Sequence, residues 1–170
     1  MPRIPPKDTS EYPWYVQFLF WLQKKRLGKI LTSALIWGRS PKLYLAFARF
    51  WTTIDRKNSP LDPQLRVLLN VKISQMNHCQ FCVNLSSPEV VHRGGSKEKL
   101  NDIENYKESP LYSDAEKIAL QYAEAVVQQK VTDKIFNELQ NHYSNDQIIE
   151  LTALISFQTC SNLFNTALDI

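Results

Sequence analysis

Glycine is rare in this chain, and proline is missing from its last third. The 170 residues include 4 glycines and 9 prolines, and no proline follows Pro110. The segment after Pro110 therefore lacks strong backbone breakers, which disfavours the closely spaced turns of a β-sandwich or β-barrel. The sequence also contains no glycine-rich phosphate loop and no G-x-G-x-x-G motif. These absences argue against a nucleotide-binding fold.

Long hydrophobic runs are missing as well. The longest run, Trp14 to Leu22, is interrupted by Gln17 and is far shorter than the roughly 20 apolar residues that a membrane-spanning helix needs. The first residues, Met-Pro-Arg-Ile-Pro-Pro, lack the apolar stretch of a secretory signal. We expect a cytoplasmic protein with no membrane span.

Positive and negative charges are unevenly distributed along the chain. Residues 1–100 contain 16 Lys and Arg against 6 Asp and Glu, whereas residues 101–170 contain 4 against 11. The only compact basic run is Lys24-Lys25-Arg26, so the sequence has no concentrated basic patch of the kind that binds nucleic acid. We expect oppositely charged regions that face each other or solvent, and no nucleic-acid partner.

The chain does contain a series of helix-start signals. Its hydrophobic content of 44% and charged content of 22% fit one soluble globular domain. The signals combine a capping residue with a following proline, or with Glu or Gln three residues later; they are Ser40-Pro41, Asp62-Pro63, Ser86-Ser87-Pro88-Glu89, Ser113-x-x-Glu116 and Ser144-x-x-Gln147. The helical periodicity between them predicts seven to nine helices and no strand, hence an all-α domain.

Three features predict how these helices pack. The helix that begins after Asp62-Pro63 carries one apolar face, and the spacing of Arg66 and Lys72 predicts that both face solvent. Residues 148–157 are apolar around most of a helix, which predicts burial on nearly all sides. This helix and the aromatic run Trp14–Leu22 offer more apolar surface than one domain hides, so we expect a homo-oligomer.

Three cysteines are too few for a secreted disulfide framework, but two of them form the motif Cys79-Gln80-Phe81-Cys82. On the first turn of a helix, residues three apart have β-carbons about 5–6 Å apart, close enough to form a disulfide. The helix N-terminus stabilises a thiolate, which attacks peroxides and disulfides. Two small buried side chains without redox chemistry would share this spacing, and that alternative stays open. Cys160, with apolar neighbours, is expected in the core.

A structural zinc site is the other chemistry that C-x-x-C can support. Such a site needs four ligands, usually two closely spaced pairs. Outside the motif the chain offers only Cys160, His78, His92 and His142, with no second pair. We therefore expect no metal and no cofactor.

The stretch Asp62–Cys82, in which an apolar helix leads into C-x-x-C, resembles the core of the carboxymuconolactone decarboxylase-like superfamily, in particular its alkyl hydroperoxidase D (AhpD)-like branch. Residues 109–117 and 144–152 are similar to further segments of these proteins. The resemblance covers about residues 40–170 and implies an AhpD-like helical fold. Hydroxymuconolactone-type decarboxylation is not expected, because that branch does not depend on a C-x-x-C pair.

This coverage predicts three parts of the chain. Residues 1–12, rich in proline and polar groups, form an extended amino-terminal arm. Residues 13–39 form an appended helical segment, and residues 40–170 form the AhpD-like core domain.

The resemblance also implies roles for single residues. Family members with alkyl hydroperoxidase activity commonly carry Glu-x11-Cys-x2-Cys-x3-His, in which Glu and His relay a proton from the second cysteine. Here those positions are Val67 and Ser86, and neither side chain transfers protons as a general base near neutral pH. His78 is the nearest titratable alternative. By resemblance Cys82 attacks and Cys79 resolves, although the helix dipole alone favours Cys79 as the attacking thiol.

The sequence thus predicts a thiol-disulfide redox protein, an antioxidant peroxidase with weak or altered activity. Its substrate is expected to be a small hydroperoxide or disulfide, and an unidentified thiol reductant reopens the pair. The alternative from another class is a non-catalytic oligomeric scaffold or small-ligand-binding protein with a redox-sensitive disulfide.

Overall fold

The computed structural model describes residues 1–170 and contains nine α-helices, two short 3-10 helices and no strand. The all-α prediction is confirmed. No helix has both the length and the hydropathy needed to cross a bilayer. The α-helices are α1 (Trp14–Leu27), α2 (Thr32–Gly38), α3 (Pro41–Ile54), α4 (Pro63–Met76), α5 (Gln80–His92), α6 (Lys97–Asn101), α7 (Asp114–Val127), α8 (Asp133–Gln140) and α9 (Asn145–Ala167).

Local capping explains where several of these helices begin and end. The Asp62 side chain accepts a hydrogen bond from the Leu65 amide at 2.9 Å, which starts α4. Ser113 and Glu116 form the predicted capping box of α7. Helix α1 ends at Gly28, whose φ of 73° is a left-handed conformation that glycine adopts without steric cost.

The sequence at Ser86-Ser87-Pro88-Glu89 predicts a kink or a restart of the helix. The restart is wrong, because α5 runs through all four residues, and the kink stays a prediction. Pro88 removes only the backbone hydrogen bond to the carbonyl of Asn84. Both Pro88 and Asn84 are exposed, so water can satisfy that carbonyl without breaking the helix. The Ser87 hydroxyl also donates to the Val83 carbonyl at 2.8 Å, which satisfies a further group in this turn.

The chain divides into two compact units, and the boundary between them falls inside α9. The first comprises Met1–Arg56 and Asn165–Ile170. In its core the Phe20 ring packs edge-on against Tyr12, with ring centroids 5.1 Å apart. A β-carbon at Gly38 would lie 2.9 Å from the Phe20 ring, so the close approach of α2 to this ring requires glycine.

Residues 1–12, predicted as an extended arm, contain one turn of 3-10 helix at Thr9–Glu11. Asp8 and Glu11 form a capping box around it, and Tyr12 is buried. The division of the chain into functional parts after residues 12 and 39 stays a prediction.

The second unit, Lys57–Phe164, is built around α4. Every residue from 65 to 74 is buried, and α4 packs against α5 and α7. Over residues 65–74 helix α4 therefore lies in the interior on all sides. Its predicted apolar face is buried, but the expectation that the opposite side faces solvent was wrong.

Helix α9 is less buried than the sequence predicted, whereas α4 is more buried. Ile148, Leu151 and Ile155 are buried, but Ile149 is 68% exposed, so this helix is not buried on nearly all sides. Its exposed stripe continues at helical spacing through Ser156, Cys160 and Leu163. Cys160 is consequently exposed, and the prediction of a core position for it was wrong.

Two cationic side chains of α4 are buried, although the sequence predicted that they face solvent. Arg66 and Lys72 are only 3% and 9% exposed, because α4 has no solvent face over this stretch. Lys72 Nζ lies 3.1 Å from Oε1 of Glu124 on α7, and Lys107 Nζ lies 3.0 Å from Oε2 of the same carboxylate. Burial alone raises the pKa of Glu124, but hydrogen bonds from Lys107 and Lys72 outweigh it and hold that pKa below its usual value.

Replacing Glu124 by Gln should lower the free energy of unfolding at pH 7 by about 1–3 kcal/mol, since it leaves buried Lys72 without its counter-charge. Because the folded-state pKa of Glu124 is depressed, its contribution is present above the ordinary value of 4.5 and is lost as the pH falls through the folded-state value. Urea unfolding of both proteins at several pH values should show the stability difference shrinking in acid. A difference that is the same at pH 7 and pH 3 would contradict this account.

Candidate active site

The C-x-x-C motif begins at the corner where α4 passes into α5. Two backbone hydrogen bonds close the carboxyl end of α4 after Met76. His78 N–H donates to the Gln75 carbonyl at 3.0 Å, and Cys79 N–H donates to the Ser74 carbonyl at 2.9 Å. This pair of bonds requires a left-handed residue between them, and His78 fills that position with φ 54°. The corner thus delivers Cys79 directly to the start of α5.

Cys79 is the N-cap residue of α5, and Cys82 lies in its first turn. Their Cα atoms are 5.3 Å apart, and their sulfur atoms are joined in a disulfide. Both side chains are buried, with 3% and 4% of their surface exposed. The predicted proximity of the two cysteines is therefore observed, at the end of a helix whose free amides favour negative charge.

The other residues singled out by sequence have different surroundings. His78 is exposed, although it directly precedes Cys79. Val67 is buried in α4, and Ser86 is half-buried in α5. No group of three or more His, Cys, Asp or Glu side chains in residues 1–170 is arranged to hold a metal ion. Of the residues singled out by sequence, the structure brings together the sulfur atoms of Cys79 and Cys82.

Sequence reasoning missed a set of buried and half-buried polar side chains next to the motif. The Ser74 hydroxyl accepts hydrogen bonds from the side-chain amides of Gln158 and Asn162, at 3.0 and 3.1 Å. The side-chain amide of Asn77 donates to Asn162 Oδ1 at 3.3 Å. We call Ser74, Asn77, Gln158 and Asn162 the polar network. Its sequence signal is the spacing of Gln158 and Asn162, which are four residues apart and therefore lie on the same face of α9.

Comparison with known proteins identifies the family. The model of the carboxymuconolactone decarboxylase family matches residues 41–125. The uncharacterized protein YnjA of Escherichia coli strain K12 is 39% identical over 169 residues, which span 98% of this chain and 92% of YnjA. The chain therefore belongs to the carboxymuconolactone decarboxylase family.

Solved structures show the same fold. The AhpD core of an uncharacterized peroxidase-related protein from Ralstonia eutropha JMP134 has a TM-score of 0.89 and covers 99% of this chain and 90% of its own, at 17% identity. The debrominase Bmp8 has a TM-score of 0.84 and covers 96% of this chain and 88% of its own, at 25% identity. A cysteine-to-alanine variant of Bmp8 has been solved in complex with 2,3,4-tribromopyrrole. The fold of this chain is thus AhpD-like.

The left-handed backbone of His78 gives a direct test of the corner. Asn tolerates this conformation, whereas a β-branched residue does not. His78→Asn should therefore change the free energy of unfolding by less than about 0.5 kcal/mol, and His78→Val should lower it by about 1–2 kcal/mol, as measured by urea unfolding. Equal stability of the two variants would show that His78 is not left-handed in solution.

Proposed function

We propose that this protein is a thiol-disulfide redox protein in which Cys79 and Cys82 reduce a small hydroperoxide or disulfide. The observation that carries the proposal is the bonded pair at the start of α5, with Cα atoms 5.3 Å apart. This separation lies within the range of unstrained disulfides, so the pair can close without moving the backbone far. The AhpD-like fold supports the same chemistry by family likeness.

The reaction with a hydroperoxide balances as follows. The attacking thiolate displaces the alkoxide from the O–O bond, which gives a sulfenic acid and, after proton uptake, an alcohol. The second thiol displaces water from the sulfenic acid and closes the disulfide. A thiol reductant then returns two electrons and two protons to the pair by thiol-disulfide exchange.

The roles of the two cysteines are assigned by family likeness, with Cys82 attacking and Cys79 resolving. Both lie at the positive end of the α5 dipole, which stabilises a thiolate at either position. The cap position favours Cys79, so single serine variants are needed to distinguish the roles. His78, exposed beside Cys79, is proposed as the nearest group that can exchange a proton with solvent.

The peroxidase activity is proposed to be weak. Val67 and Ser86 occupy the positions where the family pattern places Glu and His. Positioned acid-base groups typically contribute about 10²–10⁴-fold to a rate. Because this chain has neither the Glu nor the His of the family pattern, protons must be transferred by water or His78.

The likeness to Bmp8 favours a second class of substrate, brominated aromatic compounds. Two thiols can supply the electrons for such a reaction, in which the aryl–Br bond is replaced by aryl–H while bromide, one proton and the Cys79–Cys82 disulfide are formed. This chemistry uses the same pair and needs no cofactor. A brominated pyrrole and an organic hydroperoxide should therefore be compared as oxidants of the reduced protein.

Oxidation of the reduced, folded protein by an organic hydroperoxide should close the Cys79–Cys82 bond. The exposed Cys160 provides an internal control, because it should be alkylated in both states. Mass spectrometry after alkylation should find three labelled cysteines before oxidation and one afterwards, with the disulfide in a single peptide. Three labels after oxidation, or overoxidised acids at Cys79 and Cys82, would contradict the proposed redox function.

Restoring the missing proton carriers should accelerate the reaction. The double substitution Val67→Glu with Ser86→His is expected to raise the rate of thiol oxidation by about tenfold or more, measured by stopped-flow fluorescence. Each single substitution serves as a control, since an unpartnered Glu at buried position 67 would cost stability. A folded double variant that reacts no faster than the parent would show that proton transfer is not limiting.

We also propose a cytoplasmic homo-oligomer. Its support is the exposed aromatic face of α1, where Trp14 is 79% exposed and Phe18 and Trp21 are each more than half exposed. Light scattering should give a mass that is a multiple of 19.8 kDa, and Trp14→Ser with Phe18→Ser should lower it. A mass of one chain for the parent at micromolar concentration would exclude this proposal.

A further inference from the structure

The polar network lies in the interior between α4 and α9. Ser74, Gln158 and Asn162 are each no more than 6% exposed. The Ser74 hydroxyl uses its full capacity, because it donates to the Asn70 carbonyl at 2.6 Å and accepts from both amides. Buried polar groups with complete hydrogen bonding make a local structure rigid, since any displacement leaves a donor or acceptor without a partner.

The network is joined to the cysteine pair through the backbone. The Ser74 carbonyl accepts the Cys79 amide at 2.9 Å, so Ser74 holds Cys79 through its main chain while its side chain is held by α9. Asn77, two residues before Cys79, is held by Asn162 at 3.3 Å. Ser74 and Asn77 are thereby both attached to α9, and Cys79 is attached to Ser74 through its amide. No member of the network needs to contact a sulfur atom for this effect.

We propose that Ser74 and Asn162 are positioning residues that keep Cys79 at bonding distance from Cys82 and so shift the pair toward its disulfide form. This inference rests on the proposed redox function. Two thiols that are not bonded need a larger separation than the roughly 2 Å of an S–S bond. A corner held in place by the network therefore favours the bonded state, and by linkage the disulfide stabilises the network in return.

The relevant equilibrium is exchange with glutathione. Glutathione disulfide accepts two electrons and two protons from the Cys79 and Cys82 thiols and becomes two molecules of glutathione, while the protein disulfide forms. The pair of a variant with a loosened corner should remain reduced at a higher ratio of glutathione disulfide to glutathione than the parent requires.

The experiment measures this equilibrium for the full-length parent, Asn162→Ala and Ser74→Ala in glutathione buffers. We expect each substitution to lower the oxidation equilibrium constant by about tenfold. This is the effect of losing about one buried hydrogen bond that stabilises the disulfide form but not the dithiol form. A tenfold change corresponds to about 30 mV for a two-electron couple. Asn77→Ala removes only the outer bond at a half-buried position. Its constant should fall by about threefold.

Thr152→Val is the matched control. Thr152 lies on α9, as Asn162 does, and its hydroxyl bonds Tyr122 at 2.9 Å and the Ile148 carbonyl at 2.7 Å. The substitution removes two hydrogen bonds at a half-buried position, and neither of them involves α4. We expect its glutathione equilibrium to equal that of the parent, although its stability falls.

The outcomes are distinct. A shift in Asn162→Ala and Asn77→Ala with none in Thr152→Val supports the inference, and Asn77→Ala decides if the interior variants do not fold. Unshifted equilibria in the folded network variants, or an equal shift in Thr152→Val, overturn it. A parent pair that does not exchange with glutathione at all contradicts the proposed function itself, which is a different result from an unshifted equilibrium.

Discussion

The burial of α4 on all sides between residues 65 and 74 is the constraint on which the second unit depends. A helix with solvent on one side can leave its polar side chains hydrated, but every residue of α4 from 65 to 74 is buried. The polar side chains in this stretch are therefore stabilised by partners in the protein rather than by water. Lys72 does so with Glu124 on α7, and Ser74 with Gln158 and Asn162 on α9. These directional contacts fix how α4 is oriented, where nonpolar packing alone would allow more freedom.

The same constraint determines the position of the candidate active site. Because α4 is held on both sides, the corner at its carboxyl end starts α5 from a fixed point. His78 accepts a left-handed backbone there, and Cys79 becomes the cap of a helix whose first turn contains Cys82. The proposed chemistry needs these two cysteines, an oxidising substrate, a thiol reductant, and proton transfer by water or His78. By resemblance to family members with alkyl hydroperoxidase activity, a Glu and a His that transfer protons are expected at positions 67 and 86, where this chain has Val67 and Ser86.

Much of this architecture could be predicted from sequence, since helix starts depend on local contacts. The capping box at Ser113 and Glu116 and the stop at Gly28 involve neighbours in the chain, so their residue types are sufficient. Burial depends on distant helices, and there prediction failed: Lys72 is interior because Glu124 faces it, and Cys160 is exposed because α9 turns that side outward. Pro88 was misjudged for a related reason, because its exposed surroundings let the helix continue.

For the candidate active site, the C-x-x-C spacing predicted the cysteine pair but could not predict its burial. With 3% and 4% of their surface exposed, the two cysteines can act only if a reductant reaches them in the folded protein. The most direct test is the rate at which dithiothreitol reduces the disulfide at urea concentrations from zero to above the unfolding transition. The account predicts reduction in the absence of urea, at a rate that does not follow the unfolded fraction. Reduction that occurs only in proportion to global unfolding would show that the disulfide is a structural cross-link and would contradict a redox function.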